Sequence, residues 1–308
     1  MNIPYSNRRQ RMLSVVLPLV VVLPLLIAFA SPVQANDKIV DLVESVIYRY
    51  EGESQVSQQT LTTCAYKIAR RSIKCVSTPR NKTLQSVVKK YGEKLRDSKG
   101  FTLIVAPVSD NGISILQYDY QEPGKDTDQW LYLPEIGSVK RVASSDDAPK
   151  SGSLFGSEFS LEDLEKPKLE RFQWQLIEKS PAKKASAADS IVIVAQTPNA
   201  EFARRTNYSK RKYWIDTDRL LILKTQYYGW NGELEKVSYN SDVEKIAGIW
   251  TARKMVMRNA QTKRISILTL DQIKYNLPVS DAMLEIRMLK DAVFQSSMLK
   301  SLNEAVGS

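Results

Sequence analysis

Cys64 and Cys75 are the only cysteines of the chain, and it contains no histidine. Without imidazole the commonest general base at neutral pH and the commonest zinc ligand are both missing. Carboxylate pairs remain, Asp146-Asp147 and Glu162-Asp163. Neighbouring carboxylates in a polar stretch usually serve as solvated charges or helix caps, because a catalytic dyad also needs a shaped pocket and an oriented partner. No G-x-S-x-G elbow, phosphate-cradling glycine loop or dinucleotide fingerprint occurs. The serines therefore have no evident base, and neither a metal nor a cofactor is expected. These residues point to a binding protein, not an enzyme.

The first 35 residues decide how the cysteines are read. Arg8, Arg9 and Arg11 precede an apolar run from Met12 to Ala30, and Val33-Gln34-Ala35 closes it with small residues. This is the three-part pattern of a secretory signal peptide over residues 1–35, with cleavage after Ala35. The run is long enough that a retained anchor competes; Pro18, Pro24 and the V-Q-A ending favour cleavage. With no cysteine near the cleavage point, release as a soluble protein without a lipid anchor is expected. In an oxidising compartment, an even pair of cysteines on the β-rich stretches TLTTCAYKIA and RSIKCVS predicts a disulfide stapling a hairpin around Arg70 and Arg71. The absence of a C-x-x-C spacing argues against a redox-active pair.

Charge is consistent with this class. The net charge of +10 falls to +7 once Arg8, Arg9 and Arg11 are set aside, and the surplus is spread along the chain. It suits an anionic lipid or an acidic partner, and forms no block suited to nucleic acid.

The elements follow from periodicity. Ile39, Leu42, Val43, Val46, Ile47 and Tyr50 share one face of a helix over 37–50. Leu84, Val87, Val88, Tyr91 and Leu95 recur at helical spacing, which predicts a second helix over 81–100. From Phe101 the pattern is strand after strand, roughly ten in all with the cysteine hairpin, at the spacing of a barrel or sandwich. Asn231-Gly232 marks a hairpin turn. The tail, 289–308, reads as a further amphipathic helix through Ala292, Val293, Met298 and Leu302.

The densest stretch is QWLYLPEIGSVKRVASSDDAPKSGSLFGSEFSLEDL, from Gln129 to Leu164. A strand bearing Trp130 and Tyr132 leads through Val139 and Val142 into a polar loop. The loop closes on Phe155-Gly156-Ser157-Glu158-Phe159, an aromatic plug, and Ser160 stands three residues before Asp163 as in a capping box. In its W-L-Y-L-P, K-R-V and F-G-S-E-F-S-x-E-D-L runs the chain resembles the outer-membrane lipoprotein-sorting protein family of the LolA/LolB-like superfamily.

That resemblance implies a mainly β (α+β) fold over residues 36–308 as one domain, a half-open antiparallel β-barrel covered by short α-helices. It also implies that the first helix packs on the concave side of the sheet, and that K-Y-W-I-D and the following I-L-K form an exposed-edge strand pair. Its functional implication is a periplasmic carrier that takes acyl chains of a lipid or lipoprotein into a hydrophobic cavity and ferries them from the inner toward the outer membrane. Trp130, Tyr132, Leu133, Phe155, Gly156 and Phe159 are then the candidate cavity and lid residues, with the loop from Ser144 to Phe159 as the lid. An inner-membrane RND/MMPL or ABC exporter would be the membrane partner. The alternative reading is a sensor like the RseB-type members, or a periplasmic accessory of an RND/MMPL exporter.

Overall fold

The computed structural model describes residues 32–70, 72–142, 148–150, 152–179 and 191–307. Most of the segment expected to be a signal peptide, Ser144 to Asp147 with its carboxylate pair, and Leu302 as a packing residue lie outside the described residues or side chains.

Helix α1 (Pro32–Ile47) is followed by β1 (Ser54–Ala69), β2 (Ser72–Cys75), β3 (Arg80–Tyr91), β4 (Asp97–Ala106), β5 (Ser114–Asp119), β6 (Asp128–Leu133) and β7 (Ser138–Val142). Short 3-10 turns at Leu154–Gly156 and Glu162–Leu164 make the plug segment. The second half comprises β8 (Phe172–Lys179), β9 (Ile191–Pro198), β10 (Lys210–Asp216), β11 (Leu221–Tyr228), β12 (Leu234–Ile246), β13 (Ile249–Asn259) and β14 (Arg264–Tyr275), then α2 (Arg287–Lys290) and α3 (Ala292–Gly307). The strands form one antiparallel sheet in the order β7-β6-β5-β4-β3-β1-β14-β13-β12-β11-β10-β9-β8, with β2 attached to β1 alone. Each half is a meander; β1 and β14 join them in the middle, and β7 and β8 leave the sheet unclosed. This is the expected half-open antiparallel barrel with few short helices, and the 14 strands among the described residues exceed the rough ten read from the sequence.

One extra strand comes from a correction. Residues 80–91 are β3, not a helix, paired with β1 on one side and β4 on the other. Successive side chains of a strand point to opposite faces, so Leu84 joins one buried cluster and Val87 another. With both faces covered, the apolar/polar alternation that marks a half-exposed strand is lost, and Leu84, Val87, Val88 and Tyr91 imitate a helical repeat. A second correction concerns β10 and β11: they are interior strands, flanked by β9 and β12, so they are not an exposed edge pair.

The two faces carry different layers. On the outer face, Phe101, Leu116 and Val87 pack beneath the C-terminal segment through Leu284, Met288, Leu289 and Leu299. Ser114 Oγ donates to the Leu289 carbonyl at 3.1 Å, fixing that layer. In α3 the packing side chains are Phe294, Met298 and Leu299, whereas Val293, which the sequence places on the packing face, is 83% exposed and lies off it. On the inner face, Leu61, Leu84, Ile104 and Ile115 meet the plug residues Leu154, Phe155, Phe159 and Leu161. Further along that face α1 lays Ile39, Val43, Val46 and Ile47 against Trp174, Val194, Tyr213 and Ile215.

Candidate functional site

Strand register decides which candidate residues can meet. Trp130 pairs with Leu116 and Tyr132 with Ser114, so both belong to the outer face. Trp130 contacts Tyr118 edge to face at 4.9 Å between ring centroids, and both Trp130 and Tyr132 border the C-terminal layer. Their neighbour Leu131 faces inward against the plug, and Leu133 is half-buried at the end of β6. Phe155 and Phe159 are buried on the inner face. The structure thus separates the six candidates: the plug phenylalanines share one layer, and the β6 aromatics sit across the sheet from them.

The plug turn has a specific backbone. Phe155 lies at φ +53° and Gly156 at φ +74°, two consecutive left-handed residues, a conformation in which a bulky residue is strained. Lys82 Nζ donates to the Phe155 carbonyl at 2.9 Å and holds the turn against β3. The capping box is present: Ser160 N donates to Asp163 Oδ2 at 2.8 Å, and Asp163 N donates back to Ser160 Oγ at 3.3 Å.

Beside the plug lies a cavity of about 370 Å³. Its apolar wall combines Val43 and Ile47 of α1, Phe159 of the plug, and Ile222, Met255 and Met257 of the strands. Of the six sequence candidates only Phe159 lines it. The strand residues were legible only as alternation: Met255 and Met257 are two apart in IWTARKMVMRN and face the same way. A groove of about 760 Å³ on the outer face, between α3 and the ends of β4 and β6, includes Tyr132 and Leu299 but mixes them with Gln85, Asn111, Gln295 and Ser296.

Charge is concentrated where plug and sheet close over the cavity. Glu162, read from sequence as a solvated charge or cap, is buried. It accepts from Thr206 Oγ1 at 2.5 Å, Asn207 N at 2.9 Å, Asn207 Nδ2 at 2.6 Å and Arg211 Nη2 at 2.6 Å. Asp163 accepts from Tyr208 Oη at 2.8 Å and Lys236 Nζ at 3.2 Å. These partners lie 40 or more residues away, on β10, β12 and the turn before β10, so nothing local in the sequence announces them. Glu165 pairs with Lys150 at 2.6 Å; burial pushes its carboxyl up to about 7 against the pull of that lysine. Between α1 and β1, Glu51 meets Lys90 at 2.7 Å and Lys166 at 3.4 Å. Burial opposes its charge, but Lys166, Lys90 and Arg49 outweigh burial and hold it down at about 2. Ion pairs thus tie the plug to the second half of the sheet through Arg211 and Lys236, while the Lys82 hydrogen bond to the Phe155 carbonyl holds it to the first half. At the hairpin, Cys64 and Cys75 form the expected disulfide, with Cα atoms 5.7 Å apart.

An unclosed antiparallel sheet sheltering an apolar cavity under a helix and a plug defines the class, the LolA-like fold. A DUF1329 family protein from Desulfovibrio piger is 22% identical, with a TM-score of 0.69 over 82% of this chain and 98% of that one. An outer membrane lipoprotein-sorting protein domain, so described, from Vibrio parahaemolyticus is 22% identical, with a TM-score of 0.67 over 83% and 99%. A LolA superfamily protein from Nitrosomonas europaea is 16% identical, with a TM-score of 0.55 over 82% and 98%. A family model described as "Uncharacterized protein" matches residues 96–291, more than half of the chain, and the chain belongs to that family. No curated protein matches it.

Proposed function

We propose that this protein is a non-catalytic carrier that takes acyl chains of a lipid or lipoprotein into the cavity between α1, the plug and the inner face, and moves them through the periplasm toward the outer membrane. The observation that carries this reading is the cavity itself. Its volume of about 370 Å³ falls within the range of roughly 300–1,000 Å³ typical of small-molecule sites. Val43, Ile47, Ile222, Met255 and Met257 give it an apolar wall, as an alkyl chain requires, and Glu162, Asp163, Arg211, Ser238 and Asn240 also border it. Each buried methylene contributes about 0.8 kcal/mol, so eight of them supply about 6 kcal/mol before the costs of ordering. Methionine is unbranched and polarizable, which suits a wall that must fit chains of different length.

Further support comes from the fold shared with a lipoprotein-sorting domain and from the basic, then apolar, N-terminal segment. Export by a signal peptide and loading by an RND/MMPL or ABC exporter at the inner membrane belong to the same proposal. Displacement of a fluorescent fatty acid tests it: saturable binding competed by phospholipid acyl chains is expected. Absence of saturable binding contradicts it.

A further inference from the structure

The β1–β2 hairpin projects from the sheet. β2 pairs with β1 alone, and every residue from Ser72 to Arg80 is exposed. Ile68 and Ile73 are direct cross-strand partners, 62% and 40% exposed, and Val76 beyond them is 53% exposed. Lys67 and Lys74 form the adjacent cross-strand pair, on the opposite side of the ribbon. Arg70 stands exposed at the turn. The neighbouring turn adds exposed Lys263, whose carbonyl accepts from Tyr66 N at 2.8 Å. No acidic residue occurs anywhere from Ser54 to Gly92.

This exposure is not a frayed end. The Cys64–Cys75 bond closes the base of the hairpin, and Cys64 and Tyr66 are buried with Ile265. A covalently fixed ribbon therefore holds two adjacent isoleucines in water on one side, Lys67 and Lys74 on the other and Arg70 at its tip, with no nearby acid in sequence. A bilayer surface met by the tip of the ribbon satisfies both features: isoleucine side chains enter the headgroup boundary while lysine and arginine stems extend their charges to lipid phosphates. A purely acidic protein partner would pair with the cations and leave the isoleucines unused.

We propose that the disulfide-stapled β1–β2 hairpin docks this protein on an anionic phospholipid bilayer surface, through Ile68 and Ile73 in the headgroup boundary and Lys67, Arg70 and Lys74 on phosphates. The inference does not depend on what the cavity holds. Each cation near an anionic leaflet strengthens partition by about fivefold.

Flotation with lipid vesicles tests it, using protein recovered in the form the cell exports. Protein should float with vesicles containing phosphatidylglycerol and remain behind with vesicles of phosphatidylcholine alone. Lys67→Gln with Lys74→Gln should weaken anionic partition by about 25-fold, the effect of two cations. Ile68→Ser with Ile73→Ser should reduce it comparably, and all four positions are exposed, so thermal midpoints should stay at the parental value. Equal flotation with neutral vesicles, no flotation with either, or flotation indifferent to the substitutions overturns the proposal. Binding carried by the N-terminal apolar run would give that indifference, and so would count against the hairpin.

Discussion

Glu162 of the plug and Arg211 of β10 meet at 2.6 Å with their side chains only 8% and 11% exposed. An ion pair this enclosed matters mainly for what happens when one partner is lost, because the remaining charge stays buried without compensation. Glu162→Gln should therefore cost about 3 kcal/mol or more, read as a lower urea midpoint with an unchanged slope. Combining it with Arg211→Met should return part of that loss. A single variant within about 0.5 kcal/mol of the parent would show that the plug is not locked by this pair.

The two plug phenylalanines should behave differently. Phe155 packs into the shared core with Leu84 and Ile104 and does not line the cavity, so Phe155→Ala should cost about 3–5 kcal/mol and leave the affinity of the remaining folded protein for an acyl probe little changed. Phe159 forms cavity wall, so Phe159→Ala should cost less and speed release of the probe. Stopped-flow dissociation alongside thermal unfolding separates the two effects. Faster release from Phe155→Ala alone would reverse the assignment.

Glu165 should leave a pH signature. Its carboxyl is raised in the fold to about 7, by burial acting against Lys150, whereas in the unfolded chain it titrates near the usual 4.3. The folded state then holds the proton more tightly, so its stabilising contribution is complete below about pH 4 and is lost as pH rises toward 7. The loss amounts to about 4 kcal/mol at most. Glu165→Gln should flatten that part of the stability curve in urea melts at pH 4.5 to 7.5. A wild-type curve parallel to the variant's across this window would contradict it.

How much of this was legible in the sequence depended on whether the signal was local. The α1 face from Ile39 to Ile47, the cysteine hairpin, the Ser160–Asp163 box and the Asn231-Gly232 turn each rest on residues within a dozen positions, and each was readable; Tyr50, expected on the same face, lies beyond the end of the helix and is 58% exposed. β3 was misread because both its faces are buried, which erases the period of two. The candidate site was read as one group because Trp130, Tyr132, Phe155 and Phe159 are close in sequence. Register divides them: Trp130 opposite Leu116 and Tyr132 opposite Ser114 belong to the outer face, and the plug folds onto the inner one. The partners of Glu162 and the strand wall of the cavity come from the far half of the sheet, and the join of β1 to β14 brings the two halves together.

The central claim is that the space bounded by α1, Phe159 and the β11–β13 strands holds acyl chains. Native mass spectrometry on protein recovered gently from cells tests this directly when the parent is compared with Ile222→Trp, a substitution at a half-buried wall position that fills the cavity without removing an ion pair. The account predicts that the parent carries an adduct of lipid or lipoprotein acyl mass, and that Ile222→Trp, folded with a cooperative thermal transition, carries none. A parent that is always empty, or an adduct retained in full by folded Ile222→Trp, would contradict it.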